Sequence, residues 1–206
     1  MELTTAQHDA VTELINIGYG RAAAALSELT GRRILLEVPK VVVFPIQQIT
    51  AALVEVMRGE VASVHQVFSG PVSGNALLLL DHDAAVMLNS LILDEENTSG
   101  KLHAAAREAL AEVGNIVLNA CLGVFGNLLQ VQVTFSVPRL HVESVEGVLR
   151  SISVNEHELQ YALMVHTRFH LRDSEVSGYM VIILGITSFS RLLAELEKWE
   201  KRHVAH

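Results

Sequence analysis

The sequence repeats itself at a spacing of 99 residues, and this repeat constrains the fold more than any other feature. When the chain is shifted by 99 positions, identical residues fall on one another: Glu13 on Glu112, Asn16 on Asn115, Ile17 on Ile116, Leu29 on Leu128, Val38 on Val137, Pro39 on Pro138 and Val43 on Val142. The apolar positions between them keep the same phase. Because chance matches seldom combine two polar residues with a proline, the pattern indicates an ancestral duplication.

Each half shows the same succession of predicted elements. In the first half, the apolar spacing predicts a long helix over about 5–29, which starts at a capping box of Thr4 and Gln7 and stops at Gly31. The later elements of this half are predicted over 34–38 (strand), 46–57 (short helix), 62–68 and 75–80 (strands) and 82–93 (helix). Those of the second half are predicted over 102–129 (helix), 131–137 (strand), 145–152 (short helix), 158–170 and 178–184 (strands) and 188–203 (helix).

The two halves are predicted to share one core. Each half offers about three strands, which are too few to bury both the strands and an amphipathic helix independently. We therefore expect one domain over 1–206, built of two repeats at approximately 1–98 and 99–206 that meet in the polar stretch 94–100. The predicted fold class is α/β of the α+β type. A shared, antiparallel-rich sheet carries the long helices across it, and a pseudo-two-fold axis relates the halves.

Composition excludes several classes of function. With 15 basic and 23 acidic side chains, the formal net charge is −8, which is the wrong sign for a nucleic-acid-binding protein. The apolar runs are shorter than the ~20 residues that span a bilayer, so no membrane insertion is expected. Cys121 is the single cysteine, and no basic or apolar leader is visible at the start of the chain. These features predict a soluble cytoplasmic protein with no metal site.

The polar residues of the repeat lie on the two long helices. At about 100° per residue, Asp9, Glu13 and Asn16 share a sector of about 60° on the first helix. The second helix repeats the arrangement with Glu108, Glu112 and Asn115. The apolar residues of both helices point the opposite way, toward the expected sheet. Each half therefore presents a carboxylate and a carboxamide one turn apart on an exposed face.

Two interpretations of this pattern are open from the residues alone. Exposed helix faces routinely carry Glu and Asn without a function. Asn, however, is a mediocre helix former, and nothing in helix formation favours it in a helix interior. Its recurrence three residues after Glu in both halves favours a functional role.

Other candidate sites are weaker. His166 and His170 lie on a predicted strand and are expected to have no carboxylate or thiol cluster beside them, so they give no metal site. The segment Ser69–Gly74 lacks the lysine of a phosphate-binding loop and is interpreted as a hairpin turn. Cys121 is expected to be a small buried apolar residue. A helical stripe is expected to pack on the core: Leu192, Leu193, Leu196 and Trp199.

The doubled pattern resembles the signature of the CheC-type chemotaxis phosphatases, the family of CheC, CheX and FliY. The resemblance is carried by Asp9-x3-Glu13-x2-Asn16-x22-Pro39 and by Glu108-x3-Glu112-x2-Asn115-x22-Pro138, and it covers essentially the whole chain. Glu108 departs from the family pattern, in which Ser or Asp is usual. Arg21 stands where a small or amide side chain is common.

This resemblance implies a CheC-like fold and hydrolysis of the aspartyl phosphate on a CheY-type response regulator. In that reaction Asn16 and Asn115 would position the attacking water, and Glu13 and Glu112 would anchor the regulator through its lysine. Asp9 and Glu108 would be weaker partner contacts. The phosphorylated receiver domain brings its own Mg²⁺, so the chain needs no cofactor of its own. CheD is a further partner that the family implies.

The alternative is a binding or scaffold module of the chemotaxis or flagellar-switch apparatus. The middle domain of the switch protein FliM has a similar fold without catalytic residues, and CheC-like proteins bind the deamidase CheD. The presence of both Glu/Asn pairs favours catalysis, because a scaffold has no evident need for Asn at both positions.

Overall fold

The computed structural model describes residues 3–57, 59–94, 101–152, 159–171 and 173–203. The helices within these residues are α1 (Thr5–Thr30), α2 (Ile46–Val56), α3 (His82–Leu93), α4 (Ala104–Leu129), α5 (Val145–Ile152) and α6 (Ile186–His203). The strands are β1 (Ile34–Pro45), β2 (Glu60–Ser69), β3 (Gly74–Asp81), β4 (Thr134–Phe135), β5 (Arg139–Ser144), β6 (Leu159–Leu171) and β7 (Ser174–Gly185).

Helix α1 begins and ends where the sequence predicts. The Thr4 hydroxyl accepts a hydrogen bond from the Gln7 backbone N–H at 3.2 Å, and the Gln7 side chain accepts one from the Thr4 N–H at 3.0 Å. Gly31 ends the helix with a φ of 64°, a left-handed conformation that favours glycine. Both predicted signals, the capping box and the glycine stop, are confirmed.

The strands of both halves form one antiparallel sheet in the order β1-β6-β7-β3-β2-β4, and β5 also pairs with β2. At the centre, β3 of the first half pairs with β7 of the second. Each outer strand lies on the other half, because β1 pairs with β6 while β4 and β5 pair with β2. Exchanging every strand for its counterpart leaves this order unchanged. The predicted fold class is confirmed; the division into two repeats stays a prediction, and its boundary near 98 lies outside the described residues.

Helices cover the sheet on both faces, so the core has two layers. The alternation of β3 makes this visible, because Leu78 and Leu80 pack into one core while Leu77 and Leu79 pack into the other. Helices α1, α3, α4 and α6 contribute to the first core, and α2 and α5 contribute to the second. A strand buried on both faces reads as a continuous apolar run, which explains Ala76–Leu80.

The predicted strand ends around the two prolines are wrong. In the first half, β1 continues through Pro39 as far as Pro45, and the pairing register shifts between Glu37 and Lys40. This irregularity accommodates a residue without an N–H to donate. In the second half, only Thr134–Phe135 of the predicted range 131–137 is a strand. There the Ser136 hydroxyl accepts a hydrogen bond from the Val67 N–H at 2.9 Å. This side-chain contact takes the place of a backbone hydrogen bond of the sheet.

Helices α1 and α4 pack directly against each other in the first core. A Cβ built on Gly18 would lie 2.9 Å from the Cα of Cys121, so the helices approach closely at this point. Cys121 is fully buried, as expected. The segment Ala104–Leu128 is long and apolar enough to span a membrane, but 56% of its most apolar window is buried inside the fold. That burial identifies α4 as a core helix of this domain.

A buried hydrogen bond joins α1 to the sheet. The Tyr19 hydroxyl bonds the hydroxyl of Thr167 on β6, and both residues are almost completely buried. Burial raises the pKa of the Tyr19 phenol, which therefore stays protonated.

Replacing Tyr19 by phenylalanine is expected to lower the free energy of unfolding by about 1 kcal/mol, because one buried hydrogen bond is lost without a change in packing. Urea denaturation measures this difference. Tyr179→Phe is the matched control, since the Tyr179 hydroxyl makes no hydrogen bond within the described residues. Equal stability of the two variants would contradict the assignment.

Candidate functional site

The first polar triplet lies on the solvent-facing side of α1. Asp9, Glu13 and Asn16 are all exposed, whereas Ala10, Val11 and Leu14 on the opposite side are buried in the first core. This placement follows from the helical period, because the apolar residues must meet the sheet. Beside Asp9, the His8 ring is held by a 2.9 Å hydrogen bond to the Val41 carbonyl of β1, with its other nitrogen 3.7 Å from the Asp9 carboxylate.

The second triplet lies on α4 and is less open. Glu108 and Glu112 are exposed, but Asn115 is only half-exposed. The helix lies very near the sheet here, because a Cβ on Gly114 would come within 2.4 Å of the Val64 side chain on β2. Position 15, the first-half counterpart of Gly114, carries a buried isoleucine. The two helices therefore hold their carboxamides at different depths.

A groove of about 540 Å³ runs alongside the second triplet. It is lined by residues of α4, by Gln66 of β2 and by the segment that leads into β5: Gln66, Glu108, Ala111, Glu112, Asn115, Asn119, Phe135, Ser136, Val137 and Pro138. Val137 is 81% exposed, so this segment forms an apolar wall that stands out into solvent. Pro138, the last residue of the second sequence signature, is part of that wall.

Hydrogen bonds to β2 fix the wall in place. The Ser136 hydroxyl accepts from the Val67 N–H at 2.9 Å, and the Ser136 N–H donates to the Val67 carbonyl at 2.9 Å. The Gln66 side chain donates to the Ser136 carbonyl at 2.9 Å as well. Three contacts on one residue hold the groove open without help from a regular strand.

Asn119 is a site residue that the sequence analysis missed. Its Nδ2 donates a hydrogen bond to Oδ1 of Asn115 at 2.7 Å, from one turn further along α4. A spacing of four residues between two asparagines on one helix face was the available signal. The repeat concealed it, because position 20, the counterpart of Asn119 in the first half, is a glycine.

The first site lacks this contact. Asn16 is exposed, and its side chain makes no hydrogen bond to any residue that the structure describes. Its carboxamide is therefore free to rotate about the side-chain torsions. The two sites share the same residue types but differ in how firmly the amide is held.

Both sites combine hydrogen-bond acceptors with an amide that accepts and donates. A carboxamide bonds water through its oxygen and an anionic oxygen through its NH₂, but it does not take up a proton near neutral pH. The carboxylates give each surface a negative charge suited to a cationic partner group. Within the described residues, no group of three or more His, Cys, Asp or Glu side chains is placed to hold a metal ion.

The competing candidates have structural roles. Ser69 ends β2 and Gly74 begins β3, which confirms the hairpin turn. The predicted stripe on α6 packs on the first core through Leu192, Leu193 and Leu196.

One sequence-based statement about the histidines is wrong. His170 does have carboxylates beside it, since its ring nitrogens lie 3.3 Å from Glu37 and 3.9 Å from Glu175. The antiparallel pairing of β1, β6 and β7 brings these residues together across three strands, which spacing along the chain does not reveal.

Known proteins are similar to this chain in sequence and in fold. A model described as the CheC-like family matches residues 7–43, the range that contains Glu13, Asn16 and Pro39. The chain is 27% identical to the CheY-P phosphatase CheC of Bacillus subtilis, over 92% of this chain and 93% of that protein. The crystal structure of Thermotoga maritima FliY matches this fold with a TM-score of 0.77 at 20% identity. The match covers 96% of this chain and 99% of that one.

A FliM domain has the same fold. The FliM middle domain from H. pylori has a TM-score of 0.67 at 10% identity, covering 94% of this chain and 99% of that domain. At this identity the likeness shows the fold alone. The chain is therefore similar in sequence to the CheC-like family over residues 7–43 and to CheC over most of its length, and it has the fold of FliY.

Proposed function

We propose that the protein is a phosphatase that hydrolyses the aspartyl phosphate of a CheY-type response regulator. The observation that carries the proposal is the Glu/Asn pair on each of the two long helices, which is exposed for Glu13 with Asn16 and partly exposed for Glu112 with Asn115. The similar B. subtilis protein is named a CheY-P phosphatase, which supports the same activity here.

The chemistry demands little of the catalyst. An acyl phosphate is already activated, so the protein has to hold a water in line with phosphorus and stabilise the transferred group. The water oxygen forms the new bond to phosphorus while the bond from phosphorus to the aspartyl oxygen breaks. Aspartate leaves as a carboxylate, and the proton of the water ends on the released phosphate. Asn16 or Asn115 would accept from the water and donate to a phosphoryl oxygen.

The carboxylates would supply the docking contacts. Glu13 and Glu112 are one turn away from the asparagines and exposed, so either one can pair with a lysine ammonium of the receiver. Asp9 and Glu108 extend each acidic surface by one further turn and would add weaker contacts. Mg²⁺ would arrive with the receiver domain, and the protein would contribute no cofactor. The proposal places the protein in the cytoplasm, with a CheD-type deamidase as a further partner.

The proposal is tested by the decay of a phosphorylated receiver domain. A chemotaxis receiver from the same genome is phosphorylated with acetyl phosphate, the donor is removed, and phosphate release is followed with and without the protein. We expect release to accelerate at protein concentrations far below that of the receiver, because a catalyst turns over. An unchanged decay rate with every chemotaxis receiver of the genome would contradict the proposal.

A scaffold function is the second candidate, and the FliM-like fold favours it. Its expected result in the same experiment is saturable binding of the receiver, measured by fluorescence anisotropy, with no change in the rate of phosphate loss. The two functions are therefore separated by measuring binding and decay on one sample.

A further inference from the structure

We propose that Asn119 is a positioning residue of the second site, which fixes the carboxamide of Asn115 in the orientation that the reaction needs. The inference rests on the proposed phosphatase function and assigns to the second site a component that the first site lacks.

The hydrogen bond between the two side chains defines the orientation. Asn119 Nδ2 donates to Asn115 Oδ1 at 2.7 Å, and both residues are half-buried on the same face of α4. With its oxygen turned toward Asn119, Asn115 directs its NH₂ group away from Asn119. The oxygen keeps a second lone pair for water. The amide thus offers one acceptor and two donor hydrogens in a fixed arrangement.

The surroundings of Asn119 leave part of its own hydrogen-bonding capacity unused. Its Oδ1 is buried and has no partner within the described residues, and the same holds for Oε1 of Gln66, which also lines the groove. Gln66 itself is only 1% exposed. Unpaired buried oxygens are unfavourable for stability. The hydrogen bond that Asn119 donates to Asn115 offsets part of this cost.

The repeat provides an internal comparison. Gly20 occupies the equivalent place on α1, and a Cβ built there meets no atom within 4 Å. An asparagine would therefore fit at position 20 without a clash and lie one turn beyond Asn16. The first site therefore has room for a second asparagine but carries a glycine there.

The first experiment isolates the second site with Asn16→Ala and then replaces Asn119. Asn119→Asp keeps the size and removes the donor, and Asn119→Leu removes both polar atoms. Steady-state phosphate release is measured against receiver concentration. We expect kcat to fall about three- to tenfold in both variants, the factor that corresponds to one neutral hydrogen bond, with KM changed less than about twofold. Asn127→Ala, an exposed asparagine further along α4, is the matched control and keeps full activity.

The second experiment introduces the equivalent asparagine into the first site. In an Asn115→Ala background, where activity depends on the first site, Gly20→Asn is expected to raise kcat by about three- to tenfold for the same reason. In the same background, Asn119→Asp is expected to change nothing, because Asn119 acts through Asn115. A purely structural role would instead lower stability and activity in both backgrounds.

The outcomes separate this inference from the function on which it rests. If Asn16→Ala retains phosphatase activity and neither Asn119→Asp nor Asn119→Leu lowers its kcat, Asn119 is not a positioning residue and the proposed function stands. Loss of kcat in Asn119→Leu but not in Asn119→Asp would mean that Asn115 donates to Asn119, which overturns the assigned orientation. If wild-type protein does not accelerate phosphate release, the proposed function itself fails.

Discussion

Replacing both Asn16 and Asn115 by alanine is expected to reduce receiver dephosphorylation by about a hundredfold or more. Positioning supplies most of the acceleration in the proposed reaction, and loss of the positioning group is worth factors of this size. Each single variant should keep part of the activity, because the other site remains. Phosphate release from a phosphorylated receiver measures all three variants.

The controls for this prediction concern folding and the choice of asparagine. Asn16 is exposed and Asn115 is half-exposed, so neither replacement removes a core contact, and the far-ultraviolet circular dichroism should match the wild type. Alanine is also the better helix former. Asn127→Ala changes an exposed asparagine on α4 outside the triplet and should leave the rate unchanged. A double variant as active as the wild type would rule out the positioning mechanism.

Replacing Gly18 by leucine is expected to lower the free energy of unfolding by about 3 kcal/mol or more. The Cβ alone would lie 2.9 Å from the Cα of Cys121 and 3.0 Å from its Sγ. Because the nearest atom belongs to the backbone of α4, a side-chain rotation does not relieve the clash, and the two long helices must separate. Urea denaturation followed by circular dichroism gives the size of the change.

Gly20→Leu is the matched control for this variant. It lies on the same helix two residues away and meets no atom within 4 Å, so the better helix propensity of leucine should leave stability equal or raise it by up to about 1 kcal/mol. If Gly18→Leu is as stable as Gly20→Leu, the close approach of α1 and α4 at Cys121 is incorrect.

The sequence predicts the helices well because local signals mark their ends, whereas strand β5 was not predicted. Thr4, Gln7 and Gly31 delimit α1, and Asp81 caps α3 through a 2.7 Å hydrogen bond to the Ala84 N–H. What it does not predict is pairing between distant segments. That β1 joins β6 and that α2 and α5 cover the second face follow from packing of the whole chain. The strand ends at the prolines depend on contacts such as the Ser136 hydroxyl, which have no local pattern.

The candidate site divides in the same way. Exposure of Glu13, Asn16 and Glu112 follows from the 3.6-residue period, which places them opposite the apolar face. The depth of Asn115 was not predictable, since it depends on how closely Gly114 lets α4 approach Val64. The hydrogen bond from Asn119 to Asn115 could not be predicted from the repeat, because position 20, the counterpart of Asn119 in the first half, is a glycine.

The outer strands of each half pair with strands of the other half, and this pairing limits the order in which the chain can fold. Ile34 of β1 pairs with Leu171 of β6, so during synthesis the first strand is completed long before its neighbour leaves the ribosome. Until then β1 has an open edge, and the apolar side of α1 lacks part of its cover. Such long-range closure slows folding and prolongs the interval in which nascent chains associate wrongly. Chaperone dependence and slow refolding at low protein concentration are the expected signs of this interlocked architecture.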